Sequence, residues 1–316
     1  MTTDTKPLLV IFDKVLDQLD TLRTCLTKAY SDGAASSRRD TDTACAAAAA
    51  SAGAALKQGV AKYALIYGGS SGKDVVPQEL ESLLGEICGA AKALIAASSR
   101  CLDAEAAAVT LALHKSVLRT RGDALDATMQ VVRLSRGQVA GAGPGPEEVR
   151  RAAATVLVRC DALAQAPWSN KVALGRGLTR IGRFTKDTLR ELPADAGELG
   201  ARLAAALRAF MELLRVALRA LLAASETDTD WEAWSAVDAS LQRMAPTLED
   251  AACLAYPEED PEELEGLAST LVSCLDTLEK AVPEDWLWQE ELAKLRDALT
   301  ALQDCPIENA DEDDES

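Results

Sequence analysis

The sequence is poor in aromatic residues and contains a single histidine. Aromatic residues make up 4% of the 316 positions, while the hydrophobic total is 48%. Sheets are usually rich in Val, Ile, Tyr and Phe, so a core of alanine and leucine favours closely packed helices. Since His114 is the only histidine, neither a Cys/His metal site of standard spacing nor a Ser-His-acid set is indicated. We therefore expect an all-α protein that is not an enzyme and needs no cofactor or metal.

Basic residues and long apolar runs are also scarce. Lys and Arg number 33 against 50 Asp and Glu, a net charge of −17 that repels phosphate backbones and anionic lipids. Charged residues interrupt the most apolar segment, 199–224, and residues 1–16 lack the pattern of a signal peptide. The eight cysteines form no CxxC pair, so we interpret them as buried residues in a reducing compartment. We expect a soluble intracellular protein that contacts neither nucleic acid directly nor membranes.

Hydrophobic residues recur with a helical period along the chain, and no segment shows the alternation of a strand. In the stretch from Pro246 to Pro257, Thr247 and Asp250 predict the cap of a short separate helix that ends at Tyr256. The longer predicted helices cover residues 8–26, 42–67, 77–100, 103–138, 147–164, 169–191, 196–224, 231–244, 261–281 and 284–303.

The segment "GAGPGPEE", residues 141–148, is the strongest candidate for a domain boundary because Pro and Gly interrupt the helical pattern there. It predicts two packed antiparallel helical bundles, residues 1–140 and 149–303, joined by this linker. The tail at 304–316 ends in "ENADEDDES", which is acidic and has no large hydrophobic residue, so we predict that it is disordered.

Two short motifs have weak functional interpretations. "YGGSSGKD", residues 67–74, has glycines before a lysine, but Asp74 follows where a phosphate-binding loop needs Ser or Thr. We interpret it as a glycine-rich turn. The "RGD" at Arg121-Gly122-Asp123 lies within a helical pattern, which favours a chance match over an exposed attachment site.

A basic stripe occurs in this acidic protein at residues 169–191. Arg176, Arg180 and Arg183 fall on one helical face. We favour a solvated face that pairs with neighbouring acids. The alternative is a docking site for an acidic protein segment, which would include the protein's own tail.

Leucines recur every seven residues near the C-terminus, at Leu264, Leu271 and Leu278. The last predicted helix continues the pattern with Leu292 to Leu302. A true coiled coil usually sustains more heptads, so we favour a buried core within the monomer over a dimer seam. As a seam, these leucines would bind a partner.

Three stretches together resemble the cyclin-D-binding protein family, also called GCIP or Maid. "APTLEDAACLAYPE", residues 245–258, is similar to the family's P-x-x-x-D…YP segment and contains Tyr256, a candidate for partner binding. "WSNKVALGRGLTRIGRFTKD" resembles its NK…KD helix, with Lys171 and Asp187. "PEDWLWQEELAKLRDAL" resembles its final helix, with Trp286 near the start.

The resemblance implies two helical bundles without enzymatic activity. It implies binding to D-type cyclins or helix-loop-helix transcription factors, inhibition of cell-cycle entry, regulation of transcription, and a location in cytoplasm and nucleus. The alternative is a structural helical-bundle protein of the talin/vinculin type that binds cytoskeletal partners, because such proteins have similar alanine-rich amphipathic helices.

Overall fold

The computed structural model describes residues 5–31, 42–67, 75–102, 111–141, 143, 145–193, 196–225, 228–256, 263–284 and 286–304. Within these ranges the chain forms ten α-helices and no strand, so the all-α prediction is confirmed. The helices are α1 (Lys6–Ser31), α2 (Asp42–Tyr67), α3 (Pro77–Leu102), α4 (Leu111–Val139), α5 (Pro146–Ala164), α6 (Asn170–Glu191), α7 (Gly197–Ala223), α8 (Trp231–Cys253), α9 (Glu263–Ala281) and α10 (Gln289–Gln303).

The start of the last helix differs from its predicted position. We predicted a helix from residue 284, but α10 begins at Gln289. Before it, the amide of Trp286 donates to the Pro283 carbonyl at 3.0 Å, and that of Trp288 donates to Trp286 at 2.8 Å. These short-range bonds form turns, and in this segment Trp286 and Trp288 contact Trp234 of α8.

The prediction of a separate short helix after Pro246 is wrong. Helix α8 continues through Pro246, which is exposed on its surface. The Thr247 hydroxyl donates to the Arg243 carbonyl at 3.0 Å inside the helix and caps nothing. A proline inside a helix costs about 3 kcal/mol. Burial of apolar residues on both sides of it, including Leu241 and Leu248, offsets that cost.

The chain divides into two compact units, Met1–Ser169 (unit 1) and Asn170–Ser316 (unit 2). In unit 1, α2 packs against α3 and α5, α4 packs against α5 and α1, and α1 also packs against α3, so five helices form a closed ring. The division therefore lies between Ser169 and Asn170 and not at the predicted linker, 141–148. We placed α5 in the C-terminal bundle, but its buried side chains pack with α2 and α4.

Small residues allow the helices of unit 1 to approach closely. A Cβ on Gly53 of α2 would lie 3.4 Å from the Leu163 side chain of α5. One on Gly59 would lie 3.0 Å from Ile87 Cγ1 of α3. Helix α2 thus packs against two neighbours through positions that have no side chain, as its alanine-rich sequence indicates.

Unit 2 is also a closed ring of five helices. Helix α6 packs against α7 and α8, α9 packs against α8 and α10, and α10 packs against α7. Its core is built mainly from leucines, with the buried rings of Phe210, Trp234 and Trp288. Unit 2 therefore fills its core with large side chains, whereas α2 of unit 1 packs through small residues.

Burial of the cysteines was predicted correctly in part. Cys88, Cys160 and Cys274 are buried, but Cys25 and Cys253 are exposed. Burial raises the pKa of the Cys160 thiol to about 11. The side chains of the remaining cysteines, at positions 45, 101 and 305, lie outside the described residues. No helix in the described part of the chain is both long enough and apolar enough to span a bilayer.

Candidate protein-interaction site

Helix α6 has one buried face and one basic face. The buried face, which includes Leu174, Leu178 and Ile181, packs into unit 2. The residues of the opposite face recur at spacings of three and four, so they lie together on the side of the helix that points away from the core. They are exposed there. We define the basic face as the exposed cations Arg176, Arg180, Arg183, Lys186 and Arg190.

Most of the charge on the basic face is not neutralised by nearby acids. Across the described ranges, Arg180, Arg183 and Lys186 form no ion pair. Asp187 is the acid on this face, and its Oδ1 lies 3.7 Å from Arg190 Nη1. The pairing with neighbouring acids that we favoured from sequence is therefore not found at those three cations.

Apolar side chains border the basic face. Val172 is 44% exposed and Phe184 is 36% exposed. Arginine beside exposed aromatic and aliphatic groups is typical of protein interfaces, where apolar contact supplies affinity and charge supplies orientation. The face can therefore bind a segment that carries both carboxylates and apolar side chains.

Lys171, from the NK…KD stretch, has a structural role. Its Nζ donates to the carbonyls of Leu222, at 2.6 Å, and Ala224, at 3.0 Å. These carbonyls lie at the C-terminal end of α7, where backbone acceptors have no partner within the helix and a positive charge is favourable. Lys171 therefore caps α7 and is separate from the basic face.

Tyr256 also makes a structural contact. Its hydroxyl donates to the Glu191 carbonyl at 2.8 Å, which joins the segment after α8 to the last residue of α6. The side chain remains 45% exposed. Tyr256 thus supports the end of the helix that carries the basic face.

The heptad leucines lie in the core of unit 2. Leu271 and Leu278 are 0% exposed and Leu264 is 4% exposed. The leucines of α10 are buried as well, and α9 packs against α10. This burial agrees with the interpretation of a monomer core, and it leaves these side chains no surface for a partner in the folded monomer.

The weaker motifs have structural explanations where they are described. Arg121 of the "RGD" is 1% exposed within α4, and Asp123 pairs with Arg159 Nη1 at 3.1 Å. This agrees with a chance match. Residues 68–74 of the glycine-rich turn, the side chain of His114 and the acidic tail from residue 305 lie outside the described residues.

A tryptophan-lined cleft in unit 2 was missed by sequence reasoning. It has a volume of about 760 Å³ and lies between the C-terminal half of α7, the start of α8 and the turn before α10. Trp234, Trp286 and Trp288 line it, with ring centroids 4.7 to 5.5 Å apart. Leu287 beside it is 92% exposed. The rings come from segments about fifty residues apart, so no local spacing could have indicated that they meet.

The fold and the basic face define a helical protein of two bundle units with an exposed cationic helix. Residues 49–194 match the family model described as Grap2 and cyclin-D-interacting, N-terminal. The match contains all of α3 to α6 and confirms the predicted resemblance. It includes the NK…KD stretch but not the two C-terminal stretches, 245–258 and 283–299. No match was found among curated proteins.

Proposed function

We propose that the protein is a non-enzymatic regulator that binds other proteins through exposed helix faces, with a D-type cyclin among its partners. The matching family is described as cyclin-D-interacting, and the matched residues include the whole of α6. The observation that carries the proposal is the basic face, which concentrates exposed cations in a protein of net charge −17. A surface of this kind suits an acidic segment of a partner protein.

The strength of such an interaction follows from its parts. A single exposed ion pair contributes about 0.2 to 1 kcal/mol. Several cations on one face act together, and the apolar contacts of Val172 and Phe184 add to them. Binding should therefore be moderate in affinity and sensitive to salt.

The proposed biological role extends this binding. Sequestering a D-type cyclin or a helix-loop-helix transcription factor would inhibit cell-cycle entry and change transcription. Such a role requires the protein in both cytoplasm and nucleus. The resemblance in the sequence supports this part of the proposal.

The test measures binding of the full-length protein to a purified D-type cyclin by calorimetry. The variant Arg180→Glu/Arg183→Glu reverses two exposed, unpaired charges, and we expect it to weaken binding about tenfold at low salt. The matched control is Arg119→Glu/Arg133→Glu on α4, where both arginines are also exposed. It makes the same change in net charge away from the basic face and should bind like the parent protein.

Three outcomes would contradict parts of the proposal. Equal weakening by both variants would mean that net charge alone matters. Cyclin binding that neither variant affects would place the interaction elsewhere on the protein. Absence of cyclin and helix-loop-helix binding, together with cosedimentation with actin filaments, would favour the talin/vinculin-like alternative.

A further inference from the structure

The acidic tail begins near the end of unit 2 at which α6 terminates. The Arg202 guanidinium, in the first turns of α7, donates to the Ala301 carbonyl in the last turn of α10. Five residues separate the end of α6 at Glu191 from the start of α7 at Gly197. The start of α7 is therefore beside the last turn of α10 and is joined by a short link to the end of α6.

The tail is long enough to reach the basic face. Residues 305–316 number twelve, and a chain of this length spans up to about 40 Å. Arg180 lies eleven residues before the end of α6, a distance of about 17 Å along the helix. Both α6 and α10 pack against α7, so their axes are at most about 20 Å apart.

The charges of the two segments are complementary. The tail contains no Lys or Arg, and three cations of the basic face, Arg180, Arg183 and Lys186, have no acidic partner in the described part of the chain. Each contact is weak in water, but attachment to one chain gives the tail an effective concentration of about 1 mM. The acids of the tail are Glu308, Asp311, Glu312, Asp313, Asp314 and Glu315.

We propose that residues 305–316 bind the basic face of α6 within the same chain and compete there with an acidic partner segment. The competition with a partner rests on the proposed function, whereas the contact between tail and face stands by itself. The occupant is the acidic tail of the same chain, and its release would expose the face.

The experiment uses a fluorescent peptide with the sequence of residues 305–316 and measures its anisotropy on adding protein. The proteins compared are the full chain and a chain that ends at Asp304, which retains all ten described helices. If the tail binds with a Kd of about 100 µM, the full chain should bind the peptide about tenfold more weakly than the truncated chain. The difference should fade as salt rises.

Two controls make the result specific. In the truncated chain, Arg180→Glu/Arg183→Glu should abolish peptide binding, whereas Arg119→Glu/Arg133→Glu should retain it. A peptide in which Asn and Gln replace the six acids should not bind. Circular dichroism of each variant checks that the helices remain.

The inference is overturned if full and truncated chains bind the peptide equally, or if the α6 and α4 variants behave alike. No partner is present in this experiment, so its result is independent of cyclin binding. A peptide that binds as expected, with no cyclin bound in the calorimetry, would leave the contact between tail and face intact and reject the proposed function alone.

Discussion

Units 1 and 2 each close five helices into a ring, but they pair those helices differently. In both units the first helix packs against the third, the second against the fifth, and the fourth against the fifth. Unit 1 completes its ring by packing α2 on α3 and α1 on α4, whereas unit 2 packs α6 on α7 and α8 on α9. Helix number and chain order therefore do not determine which helices become neighbours.

The two units also use different chemistry in their cores. Helix α2 of unit 1 presents Gly53 and Gly59 to two adjacent helices, so its backbone lies against the side chains of Leu163 and Ile87. Unit 2 relies on leucines and on tryptophans such as Trp234 and Trp288. The comparison shows that two rings of five helices can be filled either through small residues on one helix or through large side chains.

The largest expected effect tests the leucine core of unit 2. Leu271 is fully buried, so Leu271→Ala should lower the free energy of unfolding by about 2 to 5 kcal/mol. Denaturant unfolding followed by tryptophan fluorescence measures this, because four of the five tryptophans, at positions 231, 234, 286 and 288, lie in unit 2. An unchanged midpoint, with loss of a dimer in sedimentation, would instead assign Leu271 to a seam between molecules.

A smaller effect tests the close packing of unit 1. In Gly59→Leu the new side chain must displace Ile87. We therefore expect the free energy of unfolding, measured by thermal or denaturant unfolding, to fall by about 1 to 3 kcal/mol. The matched control is Gly89→Leu on α3, where a Cβ meets nothing within 4 Å and leucine should add up to about 1 kcal/mol through helix propensity. Similar shifts for both variants would show that backbone proximity at Gly59 is unimportant.

The smallest effect concerns alkaline pH. Burial raises the pKa of Tyr63 from 10.0 to about 12, so the folded state keeps a proton that the unfolded state loses. The stability that this burial supports is complete below pH 10 and is lost as pH rises from 10 to 12. Urea midpoints across this range should fall less steeply for Tyr63→Phe than for the parent protein.

Comparison with neutral pH completes this test. Tyr63→Phe also removes a hydrogen bond to the Ser135 side chain, and its midpoint at pH 7 measures that loss separately. Burial also raises the pKa of Cys160, from 9.0 to about 11, so its ionisation lowers stability between pH 9 and 11. Part of the fall in urea midpoint with pH therefore remains in Tyr63→Phe. Parallel slopes for the two proteins would mean that Tyr63 does not titrate with unfolding.

Most of the helices could be predicted from the sequence, but which helices pack against each other could not. The predicted bounds of α2, 42–67, coincide with the helix because an alanine-rich run meets glycines directly after Tyr67. The prediction ended α8 before Pro246 because proline usually breaks a helix. In the structure the helix continues, because buried residues on both sides of Pro246 stabilise it. The assignment of α5 was wrong because the Pro/Gly segment marks a turn in the chain and carries no information about which helices α5 contacts.

The candidate site also has features that the sequence predicts and contacts that it does not. Exposure of Arg176, Arg180 and Arg183 follows from their helical spacing, so the sequence was sufficient to predict it. The capping of α7 by Lys171 and the bond from Tyr256 to Glu191 join residues more than fifty positions apart. Contacts of that range depend on the packing of whole helices, which no motif encodes.

The tryptophan cluster of unit 2 has an optical consequence. Indole rings with centroids 4.7 Å apart, as in the pairs Trp234–Trp286 and Trp286–Trp288, share their electronic excitations through coupled transition dipoles. Their exciton signal overlaps the far-ultraviolet circular dichroism of the helices. A helix content calculated from that spectrum therefore includes a contribution from three side chains, and loosening the cluster alters the spectrum while every backbone hydrogen bond stays in place.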